Sequence, residues 1–185
     1  MNKTREDAWA LLCRYTQSEN LRRHMLAVEA AMRHYAALLG GDPDQWGMAG
    51  LLHDFDYEQN PTLDKHPFAG MEILRAEGWP DEFIQTIASH APHTGQPRDT
   101  IERKTLFACD ELCGFVTAVA LVRPSKKLSE VEPRSVIKKM KDKAFARGVS
   151  REDLVLGAEE LGLPLETHIQ NVIDALLPIA DELGV

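Results

Sequence analysis

The chain has 185 residues, enough for one domain with a sizeable core. Its formal net charge of -8 argues against nonspecific binding to nucleic acid polymers or anionic membrane surfaces. The opening Met1-Asn-Lys-Thr-Arg-Glu-Asp leads into no signal-peptide-like stretch, no apolar run is long enough to cross a bilayer, and three cysteines form no paired framework, which suits a reducing cytoplasm.

The expected elements are helices almost throughout. Thr4 to Thr16 reads as a helix with Trp9, Leu12 and Cys13 facing inward. Asn20 is the expected N-cap of a second helix, Leu21 to Leu39, which stops at Gly40-Gly41. Leu21, His24, Val28, Met32 and Tyr35 recur there at spacings of three or four, so His24 lies on the apolar stripe. Asp42-Pro43-Asp44 opens a third helix, whose apolar run ends in His53-Asp54. An uncompensated buried charge costs on the order of several kcal/mol, so this pair calls for a cation or a proton-relay partner. Phe55 to Pro67, with Asn60-Pro61, reads as a loop. Helices follow at about Pro67 to Glu77 and Asp81 to Ser89, the second placing His90 at its end.

After the loop Ala91-Pro92-His93-Thr94-Gly95, a long helix from about Thr100 to Val122 carries Asp110 inside an apolar stripe with Leu106, Phe107 and Cys113. An acid in that position is seldom structural unless it meets positive charge. Gly114, one turn on, lets a backbone or ligand approach closely. Cys109 and Cys113 stand one turn apart, but free cysteine packs as a small apolar residue, and core packing is expected of them. A basic amphipathic helix is expected from Pro133 to Arg147, stopped at Gly148, with Lys138, Lys139, Lys141 and Lys143 on its polar face. Ser150 and Asp153 resemble a capping box, and a last helix covers about Glu166 to Leu177, with His168 read as structural. The expected fold is therefore all-α: one domain over 1–185, with a metal-binding core at about 20–122 and a C-terminal helical region at about 133–178.

Imidazoles and carboxylates together suit divalent cations such as manganese, iron, cobalt, nickel or zinc, with magnesium also admitted. A carboxylate beside a ligating histidine can reach a second ion, and two ions can clamp the attacking and leaving oxygens of phosphoryl transfer. His66 and His90 are the candidates for that second ion, so one or two metals are expected. Asp56 or Glu58 is a candidate for positioning a nucleophilic water, the alternative being that both are solvated loop acids. Arg123, Lys126 and Lys127 are candidates for holding a phosphate if the chain folds back after Pro124, the alternative being an ordinary surface cluster. His93 is a further candidate for lining the pocket.

His24, His53-Asp54 and Asp110 resemble the metal-binding signature of the HD superfamily of metal-dependent phosphohydrolases. The likeness spans most of the chain and points to a compact bacterial branch, through Leu51-Leu-His-Asp-Phe-Asp-Tyr-Glu, His66-Pro67, Ser89-His90, Asp110-Glu111, Ala120-Leu-Val-Arg-Pro-Ser-Lys and Lys143-Ala-Phe-Ala-Arg-Gly. The resemblance implies an HD-domain helical bundle, a first metal at His24, His53, Asp54 and Asp110, and a second around Asp54, His66 and His90. His-Asp continues here as Phe55-Asp56 in place of the Ile-Gly of the HDIG form. Gly78-Trp-Pro precedes His90, whereas the GYP motif of cyclic-di-GMP phosphodiesterases follows a paired histidine, which disfavours that substrate. Tyr57-Glu58 stands where guanosine-tetraphosphate hydrolases carry a Glu-Asp pair. The expected function is hydrolysis of a small phosphorylated metabolite or nucleotide by metal-activated water, with Asp54 and Glu58 as catalytic candidates. Two alternatives stay open: a di-iron oxygenase of the inositol oxygenase type, whose ligand order this chain also resembles, and a non-catalytic metal-bound sensor module.

Overall fold

The structure is a computed structural model that describes residues 3–185. Met1 and Asn2, at the head of the segment read as lacking signal-peptide character, lie outside the described residues. The chain runs through α1 (Arg5–Tyr15), α2 (Glu19–Leu39), α3 (Pro43–Leu52), α4 (Phe68–Ala76), α5 (Asp81–Ala88), α6 (Ile101–Leu121), α7 (Pro133–Met140), α8 (Arg151–Glu160), α9 (Leu165–Leu176) and α10 (Ala180–Leu183). Short 3-10 turns intervene, and no strand occurs among the described residues. No described helix is long and apolar enough to cross a membrane.

Local chemistry fixes most of the helix ends. Thr4 and Asp7 form a reciprocal capping box at α1. Asp42 accepts from Asp44 N and Gln45 N ahead of Pro43, opening α3. Gly40 ends α2 at φ +75, a conformation open to glycine at no steric cost. Three expectations need correction. The N-cap of α2 is Ser18, whose hydroxyl accepts from Leu21 N, so Asn20 lies inside the first turn. The inward face of α1 is Ala8, Leu11 and Leu12, with Trp9 and Cys13 only half-buried. The basic helix stops at Met140, not Arg147, because the Arg151 guanidinium donates to the carbonyls of Asp142, Phe145, Ala146 and Val149 and satisfies them outside a helix. Ser150 caps α8 by accepting from Asp153 N.

Two apolar clusters share α2. One joins Val28, Met32 and Tyr35 to Leu112, Phe115 and Val116 of α6 and to Val172, Ile173 and Leu176 of α9. The other joins Met25 to Leu51 and Leu52 of α3, to Phe55, and to Ile84 and Ile87 of α5. Cys109 and Cys113 belong to the first cluster as packed, unpaired thiols. His168 is structural, as expected. Its Nε2–H donates to the Ala108 carbonyl at 3.0 Å, leaving Nδ1 to accept from the Tyr35 hydroxyl at 2.5 Å, and the network ties α2, α6 and α9 together. Burial lowers the His168 pKa to about 4, keeping the ring neutral.

Candidate metal centre

Four helices deliver the site. α2 carries His24 on its inner face, α3 ends at His53, α5 ends just before His90, and α6 presents Asp110. The loop between α3 and α4 adds Asp54, Asp56 and His66. α2 and α3 lie so close at Gly50 that a Cβ there would stand 2.8 Å from the Val28 carbonyl oxygen. That contact brings the His24 and His53 rings to a centroid separation of 5.2 Å.

The side chains form two groups whose donor atoms converge. In the first, Asp110 Oδ1 lies 3.1 Å from His24 Nε2 and 3.2 Å from His53 Nε2, with Asp54 Oδ2 3.5 Å from His53 Nε2. In the second, His66 Nε2 and His90 Nε2 stand 3.2 Å apart, and each meets Asp54 Oδ1, at 3.0 and 3.2 Å. Within each group the available donor atoms all lie within 4.8 Å of one another, a spacing that suits a divalent ion.

The surroundings fix which nitrogen faces inward. His53 Nδ1 donates to the Gly50 carbonyl at 2.8 Å, His90 Nδ1 to the Ile87 carbonyl at 2.6 Å, and His66 Nδ1 to Asp56 Oδ1 at 2.9 Å. Each bond holds the hydrogen on Nδ1 and turns the Nε2 lone pair toward the cluster, the arrangement typical of ligating histidines. Asp56 is fully buried and also accepts from Gly70 N at 2.9 Å, so its negative charge is met from two sides. His53 Nε2 is the telling atom. It is buried within reach of two carboxylates, yet no hydrogen bond of good geometry forms to it. A lone pair aimed between its neighbours fits a shared central cation better than a pairwise contact.

The electrostatics agree. Burial opposes charge on His53, but Asp54 and Asp110 outweigh it and bring the imidazole pKa up to about 10. Burial likewise opposes charge on His66, and Asp54 with Asp56 raises it to about 9. Burial would raise Asp54 and Asp110. His53 with His66 and His90 holds the first, and His53 with His24 the second, well below the ordinary carboxylate range. The site prefers positive charge among its carboxylates, and a metal ion and a proton compete for the same Nε2 lone pairs.

All six residues read as metal ligands thus meet in one place, five of them lining a cleft of about 310 Å³ and His53 buried beside it. The remaining candidates do not line it. Glu58, proposed as catalytic, turns the other way and accepts from Gln17 N and Ser18 N at the approach to α2. His93 stands behind the site, its Nε2 donating to the His66 carbonyl at 2.8 Å. Arg123 lies 13 residues past Asp110, roughly 20 Å along the helix axis, and faces Glu130. Beyond it the chain turns through Lys126 and buries Leu128 in the first apolar cluster, which carries Lys126 and Lys127 away from the cleft. Glu58, His93, Arg123, Lys126 and Lys127 thus lie outside the lining of the cleft.

Other residues complete the lining without having been singled out: Tyr57, Ala91, Pro92, Phe107, Glu111 and Asp153. Burial and the neighbouring Asp110 push the Glu111 carboxyl up to about 7. Its signal was present in the spacing, since Glu111 falls four residues after Phe107 and three before Gly114, on one helix face. Asp153 was legible only as part of a helix cap, and nothing local brings α8 to the cleft.

A family model described as HD domain matches residues 21–114. Ribonuclease Y of Nitratidesulfovibrio vulgaris is 33% identical over 98 residues, covering 52% of this chain and 18% of that protein. Ribonuclease Y of a Sulfurovum species is 27% identical over 143 residues, 75% of this chain and 28% of that protein. For Ribonuclease Y of a Nitratiruptor species the figures are 28% over 174 residues, 85% and 33%. The chain therefore spans about a fifth to a third of the length of these curated relatives. No solved structure matches.

Proposed function

The chain belongs to the HD-domain family, and on that footing we propose that it is a metal-dependent phosphohydrolase acting on a small phosphorylated metabolite or nucleotide. The observation that carries this reading is Asp54, whose Oδ1 meets His66 and His90 while Oδ2 faces His53, so that one carboxylate serves both clusters. His24, His53, Asp54 and Asp110 would hold one divalent ion, and Asp54, His66 and His90 a second. Bound there, such ions supply Lewis acidity: they ease the deprotonation of water and draw charge from phosphoryl oxygens.

The chain's own groups do the remaining work. Asp56 holds His66 in its ligating tautomer, and the Gly50 and Ile87 carbonyls do the same for His53 and His90. Ala91, Pro92 and Phe107 give the cleft an apolar wall that limits water. The lining includes neither lysine nor arginine, so no side-chain cation there answers a phosphate's charge. Four carboxylates do line it (Asp54, Asp110, Glu111 and Asp153) in a chain of net charge -8. They repel a long polyanion, so although the relatives are named ribonucleases, a compact phosphoester is the favoured substrate. One domain over 1–185 and a cytoplasmic setting, which three unpaired thiols suit, complete the reading.

The test is elemental analysis of the purified protein, followed by a screen of nucleotides, sugar phosphates and cyclic nucleotides under manganese, iron, cobalt, nickel, zinc and magnesium. Metal-dependent phosphoester cleavage that is lost in Asp54→Ala is the expected result. Metal-replete protein without turnover would refute the hydrolase reading in favour of a sensor. Oxygen-dependent loss of activity with a mixed-valent iron signal would favour an oxygenase.

A further inference from the structure

Outside the six candidate ligands, the polar side chains lining the metal cleft are those of Tyr57, Glu111 and Asp153. Two of the three are carboxylates, which when ionised accept hydrogen bonds and donate none. The backbone of the other lining residues adds no free donor. Ala91 N is spent on the Ala88 carbonyl at 3.3 Å and Asp153 N on the Ser150 hydroxyl at 3.2 Å. Pro92 has no N–H, and Phe107, Glu111 and Gly114 lie inside α6, where each amide bonds the preceding turn. An ionised phosphoryl group is likewise a cluster of acceptor oxygens, so it needs a donor. Among these residues one remains, the Tyr57 hydroxyl. Tyr57 N donates to the Asp54 carbonyl at 3.0 Å and Asn60 N to the Tyr57 carbonyl at 3.1 Å, which anchors the phenol three residues from the carboxylate that both ligand groups share. Its ring stands edge-on to His66, with centroids 5.3 Å apart and planes at 90°. The residue is 40% exposed, and its hydroxyl has no hydrogen-bond partner among the described residues. Phenylalanine would pack on His66 equally well. What the hydroxyl adds is a donor beside a cleft whose other non-ligand groups supply none.

We propose that Tyr57 is a substrate-binding residue: its O–H donates a hydrogen bond to a non-bridging phosphoryl oxygen and fixes the phosphoryl group beside His66. This rests on the phosphohydrolase reading above and adds to it the side chain that orients the substrate. The phenol keeps its proton throughout, and no covalent bond forms or breaks at Tyr57. A neutral donor suits this cleft. A lysine or arginine here would be drawn into ion pairs with Asp54, Asp110, Glu111 or Asp153, whereas a phenol can bind an anion without becoming their counter-ion.

Two variants test this: Tyr57→Phe removes the hydroxyl and keeps the ring, and Tyr57→Leu removes both. Calorimetry measures binding of inorganic phosphate to metal-loaded protein, alongside metal content, thermal midpoint and turnover of para-nitrophenyl phosphate. In Tyr57→Phe, metal content and thermal midpoint should match wild type, while phosphate affinity falls about tenfold or more and KM rises by a similar factor. Phosphate binding to wild type should also produce a tyrosine difference-absorbance signal that is missing in Tyr57→Phe, a change that ring packing alone would not give. Phosphate affinity and KM unchanged in Tyr57→Phe overturn the proposal. So does a loss confined to Tyr57→Leu, or metal loss in Tyr57→Phe, because either would make Tyr57 a packing partner of His66. Phosphoester cleavage with phosphate affinity indifferent to Tyr57→Phe would sink the Tyr57 contact and spare the hydrolase. Phosphate binding weakened in Tyr57→Phe, in a protein that cleaves no phosphoester, would do the reverse. Wild type that neither binds phosphate nor cleaves a phosphoester would overturn both.

Discussion

Gly50→Ala should weaken the fold and the metal site together. The alanine Cβ would fall 2.8 Å from Val28 O, 2.9 Å from Val28 C and 3.0 Å from Glu29 N, all backbone atoms that no rotamer change can move. Reaching the 3.4 Å of ordinary contact requires α2 and α3 to part by roughly 0.6 Å. Overpacking of this kind costs about 1–3 kcal/mol, and the better helix propensity of alanine returns about 1 kcal/mol, leaving a net loss of up to about 2 kcal/mol. The same displacement separates His24 on α2 from His53 at the end of α3, and functional constellations tolerate only about 0.5 Å of error. Urea denaturation followed by circular dichroism measures the first effect, and calorimetric metal titration of the folded variant measures the second. Gly114→Ala is the comparator, because its Cβ meets only an ordinary contact and the variant should gain up to about 1 kcal/mol. If Gly50→Ala proves as stable as wild type with unchanged metal affinity, the inferred steric coupling between helix contact and site is wrong.

Asp54→Ala should release both ions and abolish turnover, whereas His66→Ala should keep the first ion, lose the second and lose most activity; wild-type metal content and hydrolysis in His66→Ala would rule out two metals. Asp56→Asn should lower affinity for the second ion by about 10–100-fold through the orientation of His66, while Glu58→Gln, whose carboxylate faces Gln17 and Ser18, should change neither metal content nor turnover. Elemental analysis of both proteins checks this, and equal metal content in Asp56→Asn would remove Asp56 from its positioning role. His168 should make stability fall with acidification: its ring protonates from pH 6.5 downward in the unfolded chain but only near 4 when folded, so proton uptake favours unfolding across that window. The loss amounts to about 3 kcal/mol over the window, with the contribution complete above pH 6.5, and urea melts of His168→Gln should be flatter there by that amount. An identical pH slope in the variant would show that the ring titrates normally.

Periodicity, caps and punctuation made the helices legible. Asp42-Pro43 and Gly40 each act on atoms within a few residues, and α3 and α6 begin and end within about a residue of where those signals place them. The candidate metal ligands were legible for a different reason: an imidazole or carboxylate on an apolar stripe is too costly to bury alone, so His24, His53-Asp54 and Asp110 point to one another across the sequence. What local signals did not contain was direction beyond the helix. Glu58 and Asp56 are two loop acids two residues apart, equivalent as sequence. The fold buries Asp56 between His66 and Gly70 N and turns Glu58 out to Gln17 and Ser18. The basic segment after Pro133 had the composition of one helix, yet a single guanidinium from Arg151, two to nine residues further on, folds back and takes the carbonyls that a longer helix would have used. Likewise Arg123, Lys126 and Lys127 follow Asp110 in the chain but are held away from it by the burial of Leu128, and Asp153 reaches the cleft from α8 across a gap of 43 residues. The sequence by itself determined which residues are helical and which polar groups need a partner, because those follow from backbone sterics and desolvation acting at short range. Only the tertiary structure decided which partner each group meets, because that depends on the relative placement of whole helices, set by many apolar contacts that carry no label for the polar atoms they bring together.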